Sequence, residues 1–117
     1  LKGDNLAEVF KLIEQQDQII VENFAERVRF LFPDAMLWIF GSRARGDAEW
    51  DSDLDLLIVL SKINPQVDRA IRDIAWEIGF EKERVITTVL MDKEEFVHGP
   101  MSESTLVDNV LREGFRL

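Results

Sequence analysis

Residues 41 to 60 read GSRARGDAEWDSDLDLLIVL, and no other stretch restricts the fold as much. An apolar run, Ala35–Phe40 (AMLWIF), stops at Gly41-Ser42, and two arginines follow. A second apolar run, Leu54–Leu60 (LDLLIVL), opens with Asp53 and Asp55 in alternation. Both runs are short and bounded by turn-forming residues, which reads as two buried strands. If the Gly41 turn and the aspartate pair form one site, the end of the first strand lies beside the start of the second. The two strands must then be antiparallel, joined by the excursion from Gly41 to Ser52. A parallel pair would separate Gly41 from Asp53 by the height of the sheet.

The residue types in this stretch suit phosphate and a divalent cation. Gly41 has no Cβ, so its backbone can turn sharply and approach a phosphate. Ser42 offers a hydroxyl and a backbone N–H at the start of a short helix, where unsatisfied donors favour anions. Arg43 and Arg45 can each donate charge-assisted hydrogen bonds to phosphate oxygens. Being two apart, they diverge on a helix, so at most one reaches the same ligand. The competing reading of GSRARG alone is a tight strand-to-helix connection with solvated arginines.

Asp53 and Asp55 share one face of a strand. Two adjacent carboxylates repel, and one or two Mg²⁺ ions, which prefer hard oxygen ligands, relieve that cost. A solvent-facing edge strand with alternating acids is the alternative, but LLIVL is continuously apolar and implies burial on both faces. In the combined reading, the turn holds the β and γ phosphates of a nucleoside triphosphate and the aspartates hold Mg²⁺ against the α phosphate. A hydroxyl attacking there expels pyrophosphate, which is nucleotidyl transfer.

The flanking sequence supplies helices. Leu6, Val9, Phe10 and Ile13 follow helical spacing after an Asp4 cap, and Ile20, Phe24, Val28 and Leu31 resume it before Pro33. Asn64–Phe80 reads as a helix with Asn64 as its cap and Pro65 in its first turn. Val85–Met91 (VITTVLM) is rich in β-branched residues and makes a third strand. A short helical turn at Asp92–Phe96 is broken by Gly99-Pro100, and Ser104–Glu113 forms a last helix closed by Gly114. The expected fold is a two-layer α/β (α+β) domain, a small mixed sheet of three or four strands with helices packed on it.

At 117 residues the chain makes one domain. Fourteen basic against 23 acidic side chains give a net charge of −9, which disfavours nucleic acid and permits a basic protein partner. Nothing approaches the roughly 20 apolar residues of a membrane span. LKGDNLAEVFKLIEQQ has no apolar h-region, so cytoplasmic residence is expected. No cysteine is present for disulfides or thiolate metal sites.

Gly41-Ser42, Gly46 and Ser52-Asp53-Leu54-Asp55-Leu56 resemble the GS…G…SDxDL signature of the nucleotidyltransferase superfamily typified by DNA polymerase beta and kanamycin nucleotidyltransferase. The small size is similar to its minimal nucleotidyltransferase branch. The resemblance covers residues 17 to 96 and implies a nucleotidyltransferase fold. It implies phosphate binding at Gly41 and Ser42, metal binding and catalysis at Asp53 and Asp55, and ATP or another NTP as substrate with Mg²⁺. Members of that branch are often the antitoxin half of a toxin–antitoxin pair with a HEPN-domain protein, and some adenylylate that partner. Active members add a third carboxylate from the next strand, where this chain has Thr87 or Thr88. Asp92, Glu94 and Glu95 stand beyond that strand, at the wrong height to replace it. Two hypotheses follow: a Mg²⁺-dependent transferase acting on a hydroxyl, or a catalytically weakened module that binds nucleotide or a partner.

Other residues take structural expectations. Trp38 and Trp76 fall on core-facing patterns, and Trp50 packs over its loop rather than stacking on a base. His98 lacks the company catalysis needs and reads as a loop residue. Glu81-Lys82-Glu83-Arg84 reads as a solvated turn. The apolar faces of the N-terminal stretch and of LVDNVLREGFRL serve core packing or dock a partner, a second copy of the chain included.

Overall fold

The computed structural model describes residues 13–98 and 105–117. The helix expected around Leu6, Val9 and Phe10 with its Asp4 cap lies outside the described residues. So do the Gly99-Pro100 break and the Ser104 start of the last helix.

Apolar periodicity and turn chemistry set the element order. Helix α1 (Gln15–Leu31) turns Ile20, Val21, Phe24 and Val28 inward, and strand β1 (Met36–Phe40) follows. Helix α2 (Ser42–Arg45) is a single turn begun by Gly41 and ended by Gly46, both at positive φ. Strand β2 (Leu54–Leu60) and helix α3 (Pro65–Lys82) come next. The α3 start is the expected one: Asn64 Oδ1 accepts from the Val67 N–H at 2.9 Å, with Pro65 in the first turn. Strand β3 (Ile86–Asp92), helix α4 (Lys93–His98), helix α5 (Thr105–Glu113) and the two-residue strand β4 (Phe115–Arg116) complete the chain.

The sheet order is β3-β2-β1-β4. As the site argument requires, β1 and β2 are antiparallel, with Met36 opposite Val59 and Phe40 opposite Asp55. Strand β3 runs parallel to β2, with Asp55 beside Thr87 and Leu60 beside Asp92. The crossover between these parallel strands is α3. The short β4 was not expected. It pairs antiparallel with β1, and the Leu117 N–H donates to the Leu37 carbonyl at 2.8 Å.

Strand alternation divides the core into two halves. Leu54, Leu56, Ile58 and Leu60 face α1 and α3, where Phe24, Ile71, Ile74 and Ile78 pack with them. Leu57 and Val59 face the other way, with Trp38, Met91, Val107 and Val110. The two-layer expectation therefore gains a smaller third layer, formed by α4 and α5. The physical reason is the continuously apolar LLIVL of β2, which needs cover on both faces. Trp38 is buried as expected, 5.1 Å from Phe96 between ring centroids.

Trp76 departs from expectation. It lies on the outer side of α3, 67% exposed, and stacks on Phe80. The inward positions of α3 are Ile71, Ile74, Ala75 and Ile78, and Trp76 falls between two of them in sequence but on the opposite side of the helix. Among the described residues, no helix is long and apolar enough to cross a membrane.

Gly114 closes α5 at a crowded point. A Cβ there would lie 2.6 Å from the Val110 carbonyl oxygen and 2.7 Å from that of Ile39. Gly114→Ala is therefore expected to push β4 off β1 and lower the unfolding free energy by about 1–3 kcal/mol in a urea titration.

Candidate functional site

The antiparallel hairpin of β1 and β2 brings the glycine turn against the aspartates. Because Phe40 pairs with Asp55, the next residue, Gly41, sits beside the Asp55 carboxylate. The fit is close enough to require glycine. A Cβ on Gly41 would collide with Oδ2 of Asp55 and lie 3.2 Å from its Cγ. Gly41 also has φ +80, a conformation that side-chain-bearing residues rarely adopt. Its carbonyl accepts from the N–H groups of Ala44 and Arg45, which starts α2 at Ser42 as the sequence suggested.

Asp53 and Asp55 stand on one face of β2, the face that continues as Leu57 and Val59. Asp53 is exposed and Asp55 half-buried. Burial, and then the charge of Asp53, raise the Asp55 carboxyl above the ordinary carboxylate range, while Arg45 works in the opposite direction. A carboxylate pair under this strain, with a glycine surface pressed against it, has the chemistry of a cation site. The donor set fits Mg²⁺: two hard oxygen ligands at the head of a rigid strand. Among the described residues no third His, Cys, Asp or Glu joins them.

The register settles which threonine takes the third position. Thr87 lies beside Asp55, whereas Thr88 lies beside Leu56 on the opposite face. The Thr87 hydroxyl donates to Oδ2 of Asp53 at 3.1 Å. Thr87 thus stands where a third carboxylate would and holds Asp53 by a neutral hydrogen bond. Asp92 pairs with Leu60, five residues along the strand from Asp55, or about 16 Å at the usual rise. It caps α4 instead, accepting from the N–H groups of Glu94 and Glu95. Asp92, Glu94 and Glu95 are indeed at the wrong height.

The two arginines diverge as their spacing required, and only one is open to a ligand. Arg45 is exposed, with Asp47 at 3.2 Å and Glu113 of α5 at 3.4 Å. The expectation that Arg43 binds phosphate is corrected: Arg43 is 4% exposed and its guanidinium is already engaged. It donates to the carbonyls of Glu49, Trp50 and Ser52 and pairs with Asp17 at 3.0 Å. Its role is to hold the 49–52 loop, which delivers Asp53 to the strand. The Ser52 hydroxyl tightens the same loop by accepting from the Glu49 N–H at 2.9 Å.

Asp17 is the residue the sequence reading passed over. It is 1% exposed and also accepts from Arg84 at 3.2 Å, while Arg84 reaches Glu14 at 2.8 Å. The solvated turn at 81–84 is corrected on this point, because Arg84 is turned inward. A signal was present: Asp17 shares the helical stripe of Ile20, Val21 and Phe24, and an acid on an apolar stripe needs a buried cation. Trp50 also departs from expectation. It is 87% exposed instead of packing over the loop, since the carbonyls of Glu49 and Trp50 are pulled inward by Arg43.

A family model described as nucleotidyltransferase domain matches residues 21–112, a span that includes every element from most of α1 to most of α5. Among curated proteins, no sequence matches the chain.

Two expectations follow from this geometry. Removing one partner of a buried ion pair leaves the other charge stranded. Asp17→Asn should therefore cost about 3–5 kcal/mol of stability and speed amide hydrogen exchange across residues 48 to 53. Asp55, with its folded pKa raised, has the opposite sign. The native state holds the proton more tightly than the unfolded chain, so stability falls as pH rises from the ordinary carboxylate value through the raised one. Without divalent cations at neutral pH, Asp55→Asn should raise Tm by about 1–4 °C, a partly exposed carboxylate being worth under about 1 kcal/mol. Added Mg²⁺ should raise Tm in the parent chain and not in Asp55→Asn, measured by differential scanning fluorimetry.

Proposed function

The chain belongs to the nucleotidyltransferase domain family, and from that premise we propose that it transfers a nucleoside monophosphate, AMP from ATP, to a hydroxyl acceptor with Mg²⁺. The observation that carries this reading is the contact between Gly41 and the Asp55 carboxylate. It supports the reading because the glycine turn and the carboxylate pair share one small volume.

In this reading Asp53 and Asp55 hold the Mg²⁺, which supplies positive charge to the α phosphate and to the departing pyrophosphate. Gly41 leaves room for the Asp55 carboxylate to approach the turn, and Ser42 donates to phosphate from its hydroxyl and N–H. Arg45, the exposed arginine of the turn, offers charge-assisted hydrogen bonds to the leaving phosphates. Arg43 does not touch the nucleotide; it fixes the loop that aims Asp53. The acceptor oxygen forms a bond to the α phosphorus, the bond to the β-phosphate oxygen breaks, and pyrophosphate leaves. Asp53 and Asp55 are the acids beside that oxygen, and either one takes up its proton or passes it to water.

Thr87 supports a second reading. A threonine hydroxyl is neither an anionic ligand nor a base, so the site has one charge fewer than three carboxylates would give. On that ground the alternative is a nucleotide-binding or partner-binding module of weakened catalysis, acting by contact. A HEPN-type protein is the partner suggested by resemblance to the minimal nucleotidyltransferases, in either reading.

Labelling separates the two. With α-phosphate-labelled ATP, Mg²⁺ and host lysate, the transferase reading expects a labelled species that falls to background with Asp53→Asn plus Asp55→Asn. Thr87→Asp should increase the label if the third charge limits the rate. Mg²⁺-dependent ATP binding without label in either protein would favour the binding module.

A further inference from the structure

The outer side of α3 carries a surface that the nucleotide site does not use. Trp76 and Phe80, one helical turn apart, stack with ring centroids 5.3 Å apart, and both are largely exposed. With Val85, itself exposed, they line a cleft of about 750 Å³. A second cleft, of about 650 Å³, starts from the same Val85 and ends at Trp50, Asp51 and Ser52. The outer face of a helix in a lone domain is ordinarily polar. Grouped, exposed aromatics beside a concave surface are instead the composition of a protein-binding site.

The rim of this groove carries acids free of ion pairs, while its cations, Lys82 and Arg84, are paired with Glu81 and with Asp17 and Glu14. Glu83 lines both clefts and Asp51 lines the second, and neither has an ion-pair partner among the described residues. Arg84, which stands beside Glu83, spends its charge inward on Asp17 and Glu14. Glu83 also ends α3 at φ 56, the one non-glycine residue at positive φ among those described. Glycine or asparagine is the usual residue there. The Glu83 N–H closes α3 on the Gly79 carbonyl, a backbone duty that glycine would perform with less strain, so the carboxylate is not needed for the cap.

We propose that this groove docks a basic amphipathic segment of a protein partner. Its apolar side covers Trp76, Phe80 and Val85, and its lysines or arginines meet Glu83 and Asp51. A second copy of the chain suits the groove poorly, because the acidic rim would face a molecule of net charge −9. The groove runs to Ser52, the residue before Asp53. A docked segment in the second cleft therefore lies against the 49–52 loop that leads into Asp53.

The test is a selection of random helical peptides, displayed on yeast, against the whole chain without nucleotide or divalent cation. The expected binders combine apolar residues with an excess of Lys and Arg and weaken with added salt. Phe80→Glu and Trp76→Ser, both at exposed positions, should reduce their affinity about tenfold or more while leaving the fold intact. Glu83→Gly separates docking from a structural role: it should raise Tm, since glycine accepts positive φ, and still weaken the peptides. Recovery of no binders, binders without basic excess, binding that survives Phe80→Glu, or Glu83→Gly without loss of affinity would each overturn the proposal. So would a concentration-dependent dimer that Phe80→Glu abolishes. Because the selection contains neither nucleotide nor metal, its failure leaves the transferase reading standing, and a failure of labelling leaves the docking result standing.

Discussion

The buried guanidinium of Arg43 is the constraint from which the rest of the site follows. It lies between α1, where Asp17 neutralises it, and the 49–52 loop, whose carbonyls accept its N–H groups. A buried charge is tolerated only when it is paired and its donors are used, and here both conditions are met. Among the described residues no buried side-chain nitrogen or oxygen lacks a hydrogen-bond partner. The arrangement makes the loop's shape depend on a helix remote from it in sequence. Asp53 emerges from that loop, so the position of one carboxylate is tied to the packing of α1.

The second carboxylate is placed by the sheet. Pairing of Phe40 with Asp55 sets Gly41 against the Asp55 side chain, and the parallel pairing of β2 with β3 sets Thr87 beside both acids. A one-residue slip in either ladder would turn Asp55 to the opposite face, where Leu54, Leu56 and Ile58 now meet α1 and α3. The apolar side chains on both faces of β2 therefore stabilise the fold and also fix the register of the site. Two anchors of different kinds, one ionic and one apolar, converge on a pair of acids whose mutual repulsion neither relieves. The burial of Asp55 and its repulsion by Asp53, which Arg45 offsets only in part, are the physical reason for proposing a cation at the site.

Much of this was legible in the sequence because the evidence was local. The order of helices and strands followed from periodicity, Asn64 and Pro65 from capping chemistry, and the antiparallel β1–β2 pair from the need to bring Gly41 to Asp53 and Asp55. What escaped were the long-range contacts. Nothing within GSRARG says that Arg43 turns inward, since its partner Asp17 is 26 residues away. Trp76 does not belong to the core-facing pattern expected for it: it lies between Ile74 and Ile78 in sequence but off their shared stripe, and is exposed. The β4 strand is two residues long and exists only because β1 offers an edge, so it left no pattern to read.

The central claim is that Asp53, Asp55 and the Gly41 turn together form one Mg²⁺–nucleotide site. Paramagnetic broadening of backbone amide signals tests it most directly, with Mn²⁺ added alongside a non-hydrolysable ATP analogue. The account predicts that broadening centres on Gly41, Ser42 and residues 53 to 55, extends to Thr87, and leaves Asp92, Glu94 and Glu95 sharp. Broadening centred on those three acids at the other end of β3, or spread evenly over the acidic surface, would contradict it.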